Sequence, residues 1–152
     1  MKAWTVLVAE DNENDVLILQ HAFSRIKSDV SLIFVKDGEE AIHYLSGRDG
    51  FKDRDQYPFP DALLLDLKMP KIDGFSVLQW LRDHPPMHRL RVLVFSSSGY
   101  HSDIDRAYDL GASSFIQKPT ALDDMAAIVN YIGQWLQRNK FSLISQLDYP
   151  AG

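Results

Sequence analysis

The chain has no cysteine, which excludes disulfides, thiolate zinc sites and cysteine nucleophiles. No apolar run approaches the ~18 residues of a membrane-spanning helix. Met1-Lys2-Ala3 leads straight into a β-rich stretch and not into a signal peptide. A soluble, cytoplasmic protein with no membrane partner is expected. Basic charge is also in short supply, with 16 Lys and Arg against 21 Asp and Glu and a formal charge of −5. With no basic stripe, no nucleic-acid partner is expected. Walker loops, GxGxxG turns, Ser-His-Asp sets, repeats and low-complexity segments are all missing. What remains is ordinary globular material: 152 residues, 45% apolar and 24% charged, enough for one domain with one substantial core.

The organising stretch is Leu63-Leu64-Leu65-Asp66-Leu67-Lys68-Met69-Pro70. Three consecutive leucines after Ala62 read as a strand buried on both faces, the pattern of a central parallel strand. The run ends on a carboxylate, where open α/β sheets keep their ligand sites. Pro70 stops the ladder, and Asp73-Gly74 signals a turn before the next helix. Alone, Asp66 is equally readable as a solvated strand end or a helix cap.

Four more apolar runs flank it: Trp4–Ala9, Leu32–Val35, Val92–Phe95 and Ser114–Gln117. Between them lie helical stripes. Val16, Leu19, Phe23 and Ile26 follow a cap at Asn12 or Asn14; Ala41, Ile42 and Leu45 close near Ser46-Gly47. Val77, Leu78 and Leu81 end at Pro85-Pro86, and Ile104, Ala107 and Tyr108 end at Gly111. Leu122, Met125, Val129, Ile132 and Leu136 mark a last helix ending near Gln137. Five strands alternating with helices give (βα)5, which right-handed crossovers wind into a doubly wound five-stranded parallel sheet. The expected form is flavodoxin-like with strand order 2-1-3-4-5. Residues 4–137 are expected to form the domain and 138–152 a tail ordered only in part.

Two features invite metal readings that fail. Residues 48–60 exceed the usual αβ connection, and Asp49, Asp53 and Asp55 suggest a calcium loop. They lack its alternating acidic series and closing Glu, so a solvated loop anchored by Phe51, Tyr57 or Phe59 is expected. His84 and His88 have ligand spacing, but Pro85-Pro86 breaks the helix between them and no third ligand is near.

Polar residues follow four strands: Glu10-Asp11, Asp66, Ser96 and Lys118. Carboxylates crowded on one rim repel unless a cation neutralises them, and oxygen-only ligands favour a hard ion such as Mg²⁺ or Mn²⁺. A carboxylate can also act as a nucleophile toward phosphorus. Phosphoryl transfer needs positioning and charge neutralisation, which a metal, Lys118 and the Ser96 hydroxyl supply.

These motifs, Val8-Ala9-Glu10-Asp11-Asn12, Leu65–Pro70 with Asp73-Gly74, Ser96, and Phe115-Ile116-Gln117-Lys118-Pro119, taken in order, resemble the receiver domain of bacterial two-component response regulators. With its insertion before the third strand, the chain is similar to single-domain regulators associated with phytochromes. The resemblance implies that Asp66 accepts a phosphoryl group from a sensor histidine kinase or a histidine phosphotransfer protein. It implies Mg²⁺ on Asp11, Asp66 and the Lys68 carbonyl, with Glu10 assisting. Lys118 would contact the phosphoryl group, Ser96 and Phe115 would form a switch pair, and the Lys118–Pro119 bond would be cis.

The expected function is a phosphorylation-controlled interaction module acting on an unknown downstream protein, without an output domain and without enzymatic turnover of its own. Competing classes are a phosphate-independent pseudo-receiver, an aspartate-nucleophile phosphatase and a flavin binder. Lys68 stands where such phosphatases carry a second Asp. Finally, Ile128, Tyr131 and Trp135 continue at helical spacing beside the last core stripe, which suggests either a homodimer face or simply a wide core stripe.

Overall fold

The computed structural model describes residues 4–25 and 30–147; side chains at 122–123, 136–137 and 139–147 lie outside that description. The expectations that rest on Ile26 and on the Leu122 and Leu136 side chains fall outside it. The elements are β1 (Trp4–Ala9), α1 (Glu13–Ser24), β2 (Val30–Val35), α2 (Gly38–Ser46), β3 (Ala62–Leu65), α3 (Gly74–Asp83), a 3₁₀ turn (Met87–Arg89), β4 (Arg91–Ser96), α4 (His101–Asp109), β5 (Ser114–Gln117) and α5 (Leu122–Leu147). The five strands are parallel in the order β2-β1-β3-β4-β5. This is the flavodoxin-like arrangement expected.

The leucine run works as its pattern demands. Period-2 alternation sends Leu63 and Leu65 to one face and Leu64 to the other. The first pair packs with Leu7, Val92 and Val94 against Ala41, Leu45, Val77, Leu78, Leu81 and Ala107 of α2, α3 and α4. Leu64 packs with Val6, Val8 and Phe95 against Leu19 and Phe23 of α1 and Met125, Val129 and Ile132 of α5. Asn12, and not Asn14, caps α1, accepting from the Asp15 N–H at 3.1 Å. Asp37 and Asp73 cap α2 and α3 in the same way.

Three expectations are corrected. The Lys118–Pro119 bond is trans, and the one cis bond among the described residues is Pro85–Pro86. Trans is favoured even before proline by about 0.5–1 kcal/mol, and in that form Lys118 already reaches the carboxylates. The last helix continues past Gln137 to Leu147. From Gln134 to Leu147 the sequence has neither Gly nor Pro to stop it. Third, Ile128 and Trp135 are half-buried against the core shared by α1 and α5, so the stripe is wide and not two-faced. Of that trio, Tyr131 is the exposed one.

The insertion is also more than a solvated loop. Arg54 donates from Nη1 to the carbonyls of Tyr44 (2.9 Å) and Tyr57 (3.1 Å) and from Nη2 to that of Leu45 (2.9 Å). Tyr44 and Leu45 lie in the last turn of α2, whose carbonyls have no partner within the helix. The fully buried Tyr44 donates its hydroxyl to the Pro58 carbonyl at 2.8 Å. Phe51 and Tyr57 stand over its ring at 5.0 and 6.1 Å between centroids. Phe59, in contrast, is largely exposed.

Among the described residues no helix is long and apolar enough to cross a membrane.

Candidate functional site

Parallel pairing carries each rim residue into place. Beyond the ends of β1, β3 and β5 the ladder continues: Glu10 donates its N–H to Val35, Asp66 to Ala9 and Lys118 to Ser96, at 3.0, 3.1 and 2.7 Å. The first residue past each of these strands is thus held as firmly as a strand residue, and all three side chains meet at one end of the sheet.

The loop after Asp66 is pinned by two glycines. A Cβ on Gly74 would lie 2.3 Å from the Asp66 carbonyl oxygen, and one on Gly38 would lie 2.1 Å from that of Ile72. Only glycine lets the first turns of α3 and α2 approach the backbone so closely.

Lys118 closes the rim. Its Nζ lies 2.6 Å from Glu10 Oε2, 2.9 Å from Asp15 Oδ2 and 3.2 Å from Asp66 Oδ2. An ammonium has three N–H donors, and here each has a carboxylate. One oxygen from each of Glu10, Asp11 and Asp66 lies within 4.8 Å of the others. Glu10 and Asp66 are buried and Asp11 is exposed. Such an all-oxygen, carboxylate-rich set fits a hard divalent cation. Lys68 donates its N–H to Asp66 Oδ1 at 3.4 Å. It lines an open cleft of about 600 Å³ together with Asp11, Asp15, Asp66, Ser97 and Lys118.

The electrostatics follow from the crowding. Burial pushes Glu10 up to about 7; the Lys118 hydrogen bond pulls it back, and the Asp66 charge adds to the rise. For Lys118 burial favours the neutral form, but the bonds to Glu10 and Asp15 and the charge of Asp66 outweigh it. Its pKa rises, so it remains an ammonium.

Ser96 ends β4, and Phe115 lies two residues before the end of the neighbouring β5. Ser96 is fully buried, and its Oγ accepts from the Ser98 N–H at 3.3 Å. Phe115 pairs with Val94 in register and is half-buried against the core shared by α2, α3 and α4. Ser98 Oγ donates to Asp103 Oδ2 in the first turn of α4 at 2.5 Å. His84 stacks on Trp80 at 4.3 Å, with His88 in the separate 3₁₀ turn.

Asp15 is the site residue that sequence reasoning missed. An acid in the first turn of a helix is its ordinary complement to the macrodipole. The signal available was its place one turn after Asp11, on the side of α1 nearest the rim.

Known proteins share this fold. The sequence model of the response regulator receiver domain matches residues 6–130. Response regulator Rcp1 of Synechocystis sp. (strain ATCC 27184 / PCC 6803 / Kazusa) is 29% identical over 133 residues, covering 87% of this chain and 88% of Rcp1; it also has a Mn²⁺-bound crystal structure. The structure of the phosphorylated cyanobacterial phytochrome response regulator RcpA superposes with a TM-score of 0.80 at 32% identity, covering 86% of this chain and 91% of RcpA. Response regulator RPA3017, from red light signaling of R. palustris, gives 0.79 at 38% identity, covering 85% and 90%.

Proposed function

The chain belongs to the response regulator receiver family, and from that premise we propose that it is a signalling module switched by phosphorylation of Asp66. The observation that carries the proposal is the contact of one ammonium, Lys118, with the Asp66 carboxylate at a buried rim that also holds Glu10 and Asp11. A sensor histidine kinase or a histidine phosphotransfer protein is the donor. One Asp66 oxygen attacks the phosphorus of the phosphohistidine, the P–N bond breaks, and the imidazole leaves with the bonding pair and takes up a proton. Lys118 turns one of its N–H groups to a phosphoryl oxygen, where its charge offsets the new negative charge.

Mg²⁺ or Mn²⁺, held by Glu10, Asp11, Asp66 and the Lys68 carbonyl, would supply further positive charge beside the phosphoryl oxygens. That rim fits such an ion because three carboxylates crowd the Lys118 ammonium and a fourth, Asp11, lies within reach of Glu10 and Asp66. The similarity to RcpA, described as phosphorylated, and to Rcp1, described as Mn²⁺-bound, supports both parts. Lys118 and the cation assist only the transfer to Asp66 and the later hydrolysis of its acyl phosphate to carboxylate and inorganic phosphate, so no separate substrate is turned over.

Phosphorylation would draw the Ser96 hydroxyl off the Ser98 N–H and let Phe115 turn further inward. The modification shifts that equilibrium only by its different interaction with the two arrangements.

Acetyl phosphate with Mg²⁺ should add one phosphoryl group by intact mass, and Asp66→Asn should add none. Equal labelling of the two proteins overturns the assignment.

A further inference from the structure

We infer that Asp15 is a positioning residue that restrains phosphorylation by holding Lys118 on the outer side of the acceptor. This rests on the reading of Asp66 as the phosphoacceptor. The ammonium is saturated: its three N–H groups are shared among Glu10, Asp15 and Asp66, and its side chain is 9% exposed, leaving no solvent-held donor in reserve. A phosphoryl oxygen on Asp66 needs one of those donors. Glu10 is the shortest contact and lies deepest, with its side chain 2% exposed. Asp15 is the partner nearest solvent, at 22% exposed, and is the contact to be given up or shared.

The second component is charge. Asp15 and Asp66 oxygens touch the same nitrogen, so they lie within about 6 Å of one another, where like charges repel appreciably even near a surface. Any anionic donor approaching Asp66 through the cleft lined by Asp11, Asp15 and Lys118 meets that repulsion. Asp15 is therefore a competitor for the lysine and a gate on the donor's charge. The Asp15 backbone N–H is capped by Asn12, a bond that does not involve the Asp15 side chain. The helix start is thus independent of the carboxylate.

The test is Asp15→Asn, which keeps shape and hydrogen-bonding capacity and removes the charge. Its phosphorylation rate with acetyl phosphate and Mg²⁺ should rise about three- to tenfold at low salt, and the gain should shrink as salt screens the pair. With phosphoramidate, a less negatively charged donor, the gain should be smaller. The Lys118 side-chain ¹³Cε resonance should shift between the two metal-free proteins. A purely structural role would lower the rate with both donors alike and without salt dependence, and that result overturns the inference. So does a loss of more than tenfold in Mg²⁺ affinity, which would make Asp15 a metal ligand. A wild-type protein that takes up no phosphoryl group removes the acceptor reading itself. An unchanged rate in Asp15→Asn beside a phosphorylated wild type sinks only the role of Asp15.

Discussion

The rim and the insertion both bury charge, in opposite ways. At Arg54 one cation meets three backbone carbonyls within a cluster of aromatic rings. Every polar group there gains from the others, so the arrangement has one favourable state. At Lys118 one cation serves three carboxylates with a fourth beside them. No placement of the ammonium satisfies them all. A region left short of positive charge is ready to take a cation and a redistribution of contacts; the insertion is not. The difference is between a structure built to stay and one built to change.

The contrast breaks most severely at Tyr44. Tyr44→Ala empties the centre of the insertion and should cost about 3–5 kcal/mol in urea unfolding. Phosphorylation of the molecules that remain folded should be unaffected. A loss below about 1 kcal/mol would mean that the ring cluster is ornamental.

The rim should respond with the opposite sign. Glu10→Gln removes a carboxylate that burial disfavours, and should stabilise the metal-free protein by about 0.5–2 kcal/mol. The pH dependence follows from the same shift. Because the folded-state value lies near 7 and the ordinary one near 4.5, the folded chain holds more protons than the unfolded chain between them. Stability conferred by that proton is therefore lost as pH rises through this window. Thermal melts from pH 4.5 to 7.5 without metal should show the decline in wild type and a flatter profile in Glu10→Gln. Identical profiles would contradict the assignment of the shift to Glu10.

The smallest effect concerns association. Trp135 is engaged with the core, so replacing it would test packing and not partnership. Tyr131, exposed on α5, is the position that separates the two. If a twofold pairing uses this face, Tyr131→Glu should weaken self-association in sedimentation while leaving the unfolding midpoint within experimental scatter. A wild type that sediments as a monomer, with and without phosphodonor, removes the idea.

Much of the fold was readable because its signals are local. The leucines at 63–65, the Asp-Gly caps and the alternation of periods each act within a few residues. The rim was readable for the same reason, since parallel strands deliver whatever follows them to one edge. What escaped was long-range or chemically silent. Arg54 binds carbonyls, which every residue has, so no residue type announces its partners. Asp15 meets a lysine 103 residues away. Trp135 and Ile128 looked like a second face because a stripe's width depends on how closely α1 and α5 pack, and that is a tertiary quantity.

The two close-approach glycines give the sheet edge a mechanical asymmetry. With Gly38 against Ile72 and Gly74 against Asp66, there is no slack between α2, α3 and the loop that joins β3 to α3. These three parts can only travel together. A disturbance at the Asp66 side chain is thus rigidly backed on that flank and must be relieved on the other. There the Ser96 hydroxyl is tied by one long hydrogen bond, and β5 is only half-buried along Ser114–Ile116. The stiff flank makes the compliant one the sole outlet, so direction of response is written into two missing methyl groups.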